Sequence, residues 1–125
     1  MNNLKINNKQ TRPDDKEFQW QGQTILTDKE GFLKSQFQWT EDLAHELARS
    51  ESIELTPQHW TLMHYLREYY EDYDIAPPMR VMVKIMVNEY GKDSVNSRVL
   101  HQLFPGGPAK QGSRFAGLPK PKNCL

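Results

Sequence analysis

From Thr40 onward, proline and glycine cut this chain into pieces too short for a long helix and too interrupted for a central strand. Pro57, Pro77-Pro78, Gly91, Pro105-Gly106-Gly107-Pro108 and Gly117 separate runs whose apolar residues recur every three or four positions. Proline suits a first helical turn and breaks an interior, while glycine takes the left-handed geometry that ends a helix. Short helices packed side by side are the result. Thr40 caps the first, with Glu41 and Asp42 in its first turn and Leu43, Ala44, Leu47 and Ala48 inward; it fades near Ser50 to Ser52. Thr56 and Pro57 start a second that reaches about Tyr73, with Trp60, Met63, Leu66, Tyr70 and Tyr73 on its apolar stripe. Ala76-Pro77-Pro78 opens a third, closed by Gly91, with Met79, Met82, Val83, Met86, Val87 and Tyr90 inward. Val81 and Ile85 widen that stripe, so this helix is expected to be the most buried. Asp93 or Ser94 caps a fourth, with Val95, Val99, Leu103 and Phe104 inward, and Pro108 starts a fifth that runs to about Ala116.

Ahead of the helices, Phe18 and Trp20 alternate with Gln19, Gln21-Gly22 supplies a tight turn, and Thr24-Ile25-Leu26-Thr27 favours a strand. Asp28-Lys29-Glu30-Gly31 is a second turn, and Phe32-Leu33 is read as a short third strand. A lone hairpin is marginal in water, so it must lean on the helices. The fold class is α+β and mostly α: an N-terminal hairpin or meander packed on about five helices, with an extended C-terminal arm. Residues 1–16 are read as a disordered polar head, 17–117 as a single domain, and 118–125 as a flexible arm.

That arm carries the only cysteine, Cys124. Pro119 and Pro121 stiffen it, and Gly106, Gly107 and Gly117 are candidate hinges. One cysteine forms no internal disulfide, and no thiolate or histidine spacing suggests a metal. No apolar run approaches the roughly 20 residues needed to span a bilayer. The 16 Lys and Arg balance 16 Asp and Glu, so no overall field favours nucleic acid or an anionic membrane. A reducing cytoplasm suits a free thiol.

From Pro105 the chain holds Lys110, Arg114, Lys120 and Lys122 but no acid. Such cations favour thiolate over thiol at Cys124, or attract an anionic partner. His101 is read as an ordinary surface or packing residue in preference to a base for Cys124. Tyr65, Tyr69, Tyr70 and Tyr73 with Trp60 are read as mostly core, with part left as a docking face. The second to fourth helices also raise a helix-turn-helix DNA-binding regulator, but the third helix offers only Arg80 and Lys84 as cations.

Arg98, then Leu103-Phe104-Pro105-Gly106-Gly107-Pro108-Ala109-Lys110-Gln111, then Ala116-Gly117-Leu118-Pro119-Lys120-Pro121 and Cys124 closely resemble the TusE/DsrC family. The match extends upstream through Thr27-Asp28-Lys29-Glu30-Gly31-Phe32-Leu33, Trp39, Pro57-Gln58-His59-Trp60, and Met79-Arg80 with Val83-Lys84. It spans roughly Phe18 to Leu125. The resemblance implies a β-meander on a helical array and a sulfurtransferase without cofactor or metal. Its cysteine takes persulfide sulfur from a TusBCD-like donor complex and passes it to a tRNA 2-thiouridylase for the wobble uridine. Members that work with dissimilatory sulfite reductase carry a second cysteine eleven residues earlier, where this chain has Ser113. A hydroxyl cannot close that branch's intramolecular linkage, so the chain resembles the TusE branch. An accessory, gamma-like subunit docking its arm in a sulfite reductase-type enzyme is the alternative. The Asn-rich head and the non-capping Ala76 depart from the family pattern.

Overall fold

The computed structural model describes residues 11–122. Cys124 and most of the expected polar head lie outside the described residues. Two antiparallel strands, β1 (Lys16–Trp20) and β2 (Gln23–Thr27), pair Phe18 with Ile25 and Lys16 with Thr27. Gln21 and Gly22 both have positive φ, 49° and 76°, the geometry of a two-residue turn that follows the strands' own twist. Strand β1 takes in Lys16, the last residue of the expected polar head. Lys16 is already in the ladder, and Asp15 pairs with Lys34 at 3.1 Å while accepting from the Arg12 N–H at 2.6 Å.

The expected third strand shrinks to one bridge, Thr27 to Leu33. Asp28 explains this: its carboxylate accepts from the Glu30 and Phe32 N–H groups at 2.8 and 3.0 Å and curls the chain back. A 3₁₀ turn, Gln36–Gln38, then leads to the helices.

Five helices follow: α1 (Glu41–Arg49), α2 (Pro57–Tyr73), α3 (Met79–Tyr90), α4 (Ser97–Leu103) and α5 (Pro108–Phe115). Thr40 caps α1 through its side chain, and Gly91 closes α3 at φ 91°, as the sequence predicts. Helix α4 starts later than expected. Asn96 accepts from the Val99 N–H at 3.0 Å, which satisfies the cap that Asp93 and Ser94 were expected to supply, and Leu100 becomes its buried anchor.

Two packing expectations are corrected. On α2 the buried residues are His59, Leu62, Met63 and Leu66, one step around from the expected stripe, and Tyr73 is exposed. Tyr65, Tyr69 and Tyr73 instead form a ladder of rings at 5.8 and 4.5 Å on the flank of α2. The most buried helix is not α3, which hides only Met82 and Met86, but the short α5, with Pro108, Gln111, Gly112, Ser113 and Phe115 enclosed. Helix α5 packs against α1, α2 and α4 at once, so its small residues serve close approach. A methyl on Gly112 would stand 2.8 Å from Leu66 Cδ1.

His59 ties α2 to α4. Its Nδ1 accepts the Thr56 N–H at 3.0 Å, completing the cap of α2, which leaves Nε2–H to donate to the Leu103 carbonyl at 2.8 Å. Phe104 meets the ring edge-on at 4.9 Å. Burial holds the His59 pKa below its ordinary value, against the opposing Leu103 hydrogen bond. A proton on Nδ1 would also displace the cap. The unfolded chain therefore takes up this proton before the folded one does, and stability present above the ordinary histidine pKa is lost as pH falls through the folded value. Urea midpoints measured from about pH 7.5 to about 5.5 should drop in wild type and drop less steeply in His59→Gln.

Candidate functional site

The described chain nearest the thiol begins where α5 ends. A helix leaves its last carbonyls without partners inside the helix, and here those carbonyls are enclosed. The Trp39 indole N–H donates to the Phe115 carbonyl at 2.8 Å, and Arg67 Nη1 donates to the Ala116 carbonyl at 2.7 Å. The Leu118 N–H closes back on the Ser113 carbonyl at 3.0 Å. Arg67 also lies 4.0 Å above the Trp39 ring, so the two clamping side chains hold each other. Gly117 passes beneath that ring at φ 75°, with room for no side chain: a methyl there would lie 2.5 Å from Trp39 Cγ and Cδ1.

The arm's first residues rest on the body. Leu118 and Pro121 are buried, which corrects the expectation of a flexible arm starting at residue 118. The physical reason lies in a turn far away in sequence. Glu30 receives Lys110 Nζ from α5 at 3.0 Å and Lys120 Nζ from the arm at 2.8 Å. Asp28 shapes that turn, and Gly31 lets it approach Arg114, whose Cδ would be 3.1 Å from a methyl at position 31. Hydrogen bonds from Lys120 and then Lys110 hold the Glu30 carboxyl down at about 2.

Arg114 is committed elsewhere. Its Nε and Nη2 grip the two oxygens of Glu51 at 2.8 Å each, and Gln111 adds a third donor at 2.8 Å. Burial opposes the Glu51 charge, but these donors outweigh it and keep the carboxyl below its ordinary range. The acid-free stretch read from sequence meets acids from elsewhere in the fold. Lys110, Arg114 and Lys120 meet carboxylates brought in by the fold, while Lys122 is exposed at the end of the described chain.

Of the glycines expected as hinges, Gly117 is tightly packed, Gly106 is exposed but close to Gln111, and Gly107 has room around it. A methyl on Gly106 would crowd Gln111 at 3.2 Å, and the Gly106 N–H donates to that side chain at 2.9 Å. Gly107 at φ 103° turns the chain into α5, and Gly117 fits only beneath Trp39. Pro119 is half-buried and Pro121 buried against the body. His101 is exposed on α4 and faces its own helix at the Ser97 carbonyl. Arg67 and Glu51 carry no local signal for these roles in the sequence, because their partners lie tens of residues away. Glu30 and Trp39 are marked by the family pattern, and Gly117 also as a helix stop.

The family described as "DsrC like protein" matches this chain over residues 19–125. Sulfurtransferase TusE of Salmonella choleraesuis (strain SC-B67) is 47% identical over 106 residues, 85% of this chain and 97% of that protein. Sulfurtransferase TusE of Escherichia coli (strain K12) is 45% identical over the same shares. Among solved structures, the oxidized gamma-subunit of the dissimilatory sulfite reductase (DsrC) from Archaeoglobus fulgidus superposes with a TM-score of 0.80 at 40% identity, covering 88% of this chain and 100% of that one. Allochromatium vinosum DsrC gives 0.75 at 43% identity, over 89% and 99%.

Two substitutions separate the clamp from the latch. Gly117→Ala should lower stability by about 1–3 kcal/mol in urea unfolding, since the methyl meets an immobile indole. Glu30→Gln should hardly change the midpoint, because solvent screens an exposed ion pair, yet amide exchange at Leu118 and Lys120 should quicken.

Proposed function

Because the chain belongs to the DsrC-like protein family and is a sulfurtransferase of that family, we propose that Cys124 is the atom-carrying residue of its sulfur relay. The observation that carries the reading is the clamped root of the arm. Trp39, Arg67 and Gly117 set one exit direction for a segment whose only nucleophile is Cys124. A fixed root and a proline-stiffened arm reduce the freedom lost when the tip enters a partner's cleft.

The chemistry is an exchange between sulfurs. The Cys124 thiolate attacks the terminal sulfur of a donor persulfide, R–S–S–H. A new S–S bond forms, the donor's S–S bond breaks, and the donor leaves as its thiolate R–S⁻. The hydrogen stays on the transferred sulfur, and no external oxidant or reductant is needed. Hand-off repeats the step in reverse sense: an acceptor nucleophile takes the terminal sulfur, and Cys124 departs as thiolate. Lys110, Arg114, Lys120 and Lys122 have a docking role in this reading more than a thiolate-stabilising one, since three of them already face Glu30 or Glu51. Gly106, Gly107, Gly117, Pro119 and Pro121 shape and aim the arm.

The finer assignment is a TusBCD-like complex as donor and a tRNA 2-thiouridylase as acceptor, in the cytoplasm. Ser113 supports it. Buried in α5 with 1% exposure, it offers no second sulfur with which Cys124 could close an internal bond.

Incubation with a persulfide donor followed by intact mass spectrometry tests the reading. Wild type should gain one sulfur atom, removable by a thiol reductant, and Cys124→Ser should gain none. Uptake elsewhere in the chain, or none at all from a competent donor, contradicts it.

A further inference from the structure

Among the described residues, three large apolar side chains stand well out into solvent: Phe37 at 70% exposure, Tyr73 at 61% and Ile75 at 46%. Phe37, on the 3₁₀ turn, lines a groove with Asp74, and Tyr73 and Ile75 flank Asp74 in the chain. The groove, about 650 Å³, runs along the flank of α2 opposite the tyrosine ladder. Phe37, Tyr70 and Leu118 give it apolar surface, and Glu68 and Glu71 on α2, with Asp74 just past its end, give it an acidic rim.

Three acids face one arginine in this groove, in a chain whose charges balance overall. None of the three acids forms an ion pair among the described residues. Arg67 lines the same groove and offsets part of the Glu71 charge while its guanidinium holds the Ala116 carbonyl and the Trp39 ring, so the rim stays acidic on balance. The groove is also continuous with the arm. Leu118, the first residue past the Gly117 turn, forms part of its wall.

We propose that this groove seats the acceptor enzyme of the relay, through a cation-rich surface that sets an apolar side chain against Phe37 and Tyr70. The inference rests on the sulfur-relay reading above and adds the face used for hand-off. Charge complementarity chooses the occupant. An enzyme that modifies tRNA must hold a polyanion, which takes Lys and Arg at its surface. The acidic rim matches such a surface and repels the RNA itself. A partner seated there lies beside the arm's root, against Leu118.

The test uses the full-length chain and a purified, RNA-free tRNA 2-thiouridylase. The variants are Phe37→Ala and the triple Glu68→Gln, Glu71→Gln, Asp74→Asn, with Glu89→Gln on α3 as a charge control. Both groove variants should bind the enzyme about ten-fold or more weakly at low salt, and the triple variant should lose most of the wild type's salt dependence. Glu89→Gln should bind as wild type does. Loading of Cys124 by a small-molecule persulfide should be the same in all four proteins. Unchanged enzyme affinity in the groove variants overturns the inference, as does equal weakening in Glu89→Gln, absence of binding by wild type, or tRNA binding that the groove variants abolish. Normal loading with any of those outcomes leaves the carrier reading standing, whereas failure to load wild-type Cys124 overturns that reading too.

Discussion

The enclosed C-terminal end of α5 is the constraint on which the rest of this structure depends. A helix end buried without partners is costly, about 1–3 kcal/mol for each polar group left unmade. Trp39 and Arg67 reach in from two other elements to supply the missing donors. That requirement brings the loop after the hairpin, the middle of α2 and the end of α5 together. It also explains why only glycine stands at 117, since the backbone must pass directly beneath an indole. The same arrangement gives the arm a defined point of departure.

Electrostatics is organised around the same helix. Glu30 links α5 to the arm through Lys110 and Lys120, and Glu51 fixes the outer face of α5 through Gln111 and Arg114. The cations that look like a free basic approach in the sequence are thereby turned to structural use. Among the described residues, Glu68, Glu71 and Asp74 form no ion pair and line the flank of α2 next to the arm's root. A carrier with a seated arm base and an acidic, apolar-floored groove beside it has the parts needed to meet one protein after another.

Local signals were legible where local physics decides. Thr40 caps α1, Pro57 opens α2, Gly91 closes α3, and Gln21-Gly22 turns the hairpin, each through neighbours within a few residues. The misreadings came from tertiary choices. Periodicity on α3 is broad and apolar, yet α5 is more enclosed, because Gly112 and Ser113 allow closer packing than valine or isoleucine would. The α2 stripe is displaced because His59, polar by type, is needed inside to cap one helix and hold the end of another. At the site, the family pattern pointed to the arm and its cysteine. Glu30 was visible only as part of a turn and of that pattern, and Glu51 and Arg67 not at all, because each acts across 49 to 90 residues of chain.

The central claim is that a fixed root delivers the sulfur of Cys124 to its acceptor. Single-turnover transfer from fully persulfidated protein measures this directly, comparing wild type with Trp39→Phe, which keeps a ring over Gly117 but removes the indole donor. The account predicts that small-molecule loading of Cys124 is unchanged, while transfer to the acceptor slows as the root loosens. Equal transfer rates, with amide exchange showing that Gly117 and Leu118 have lost protection in the variant, would contradict it.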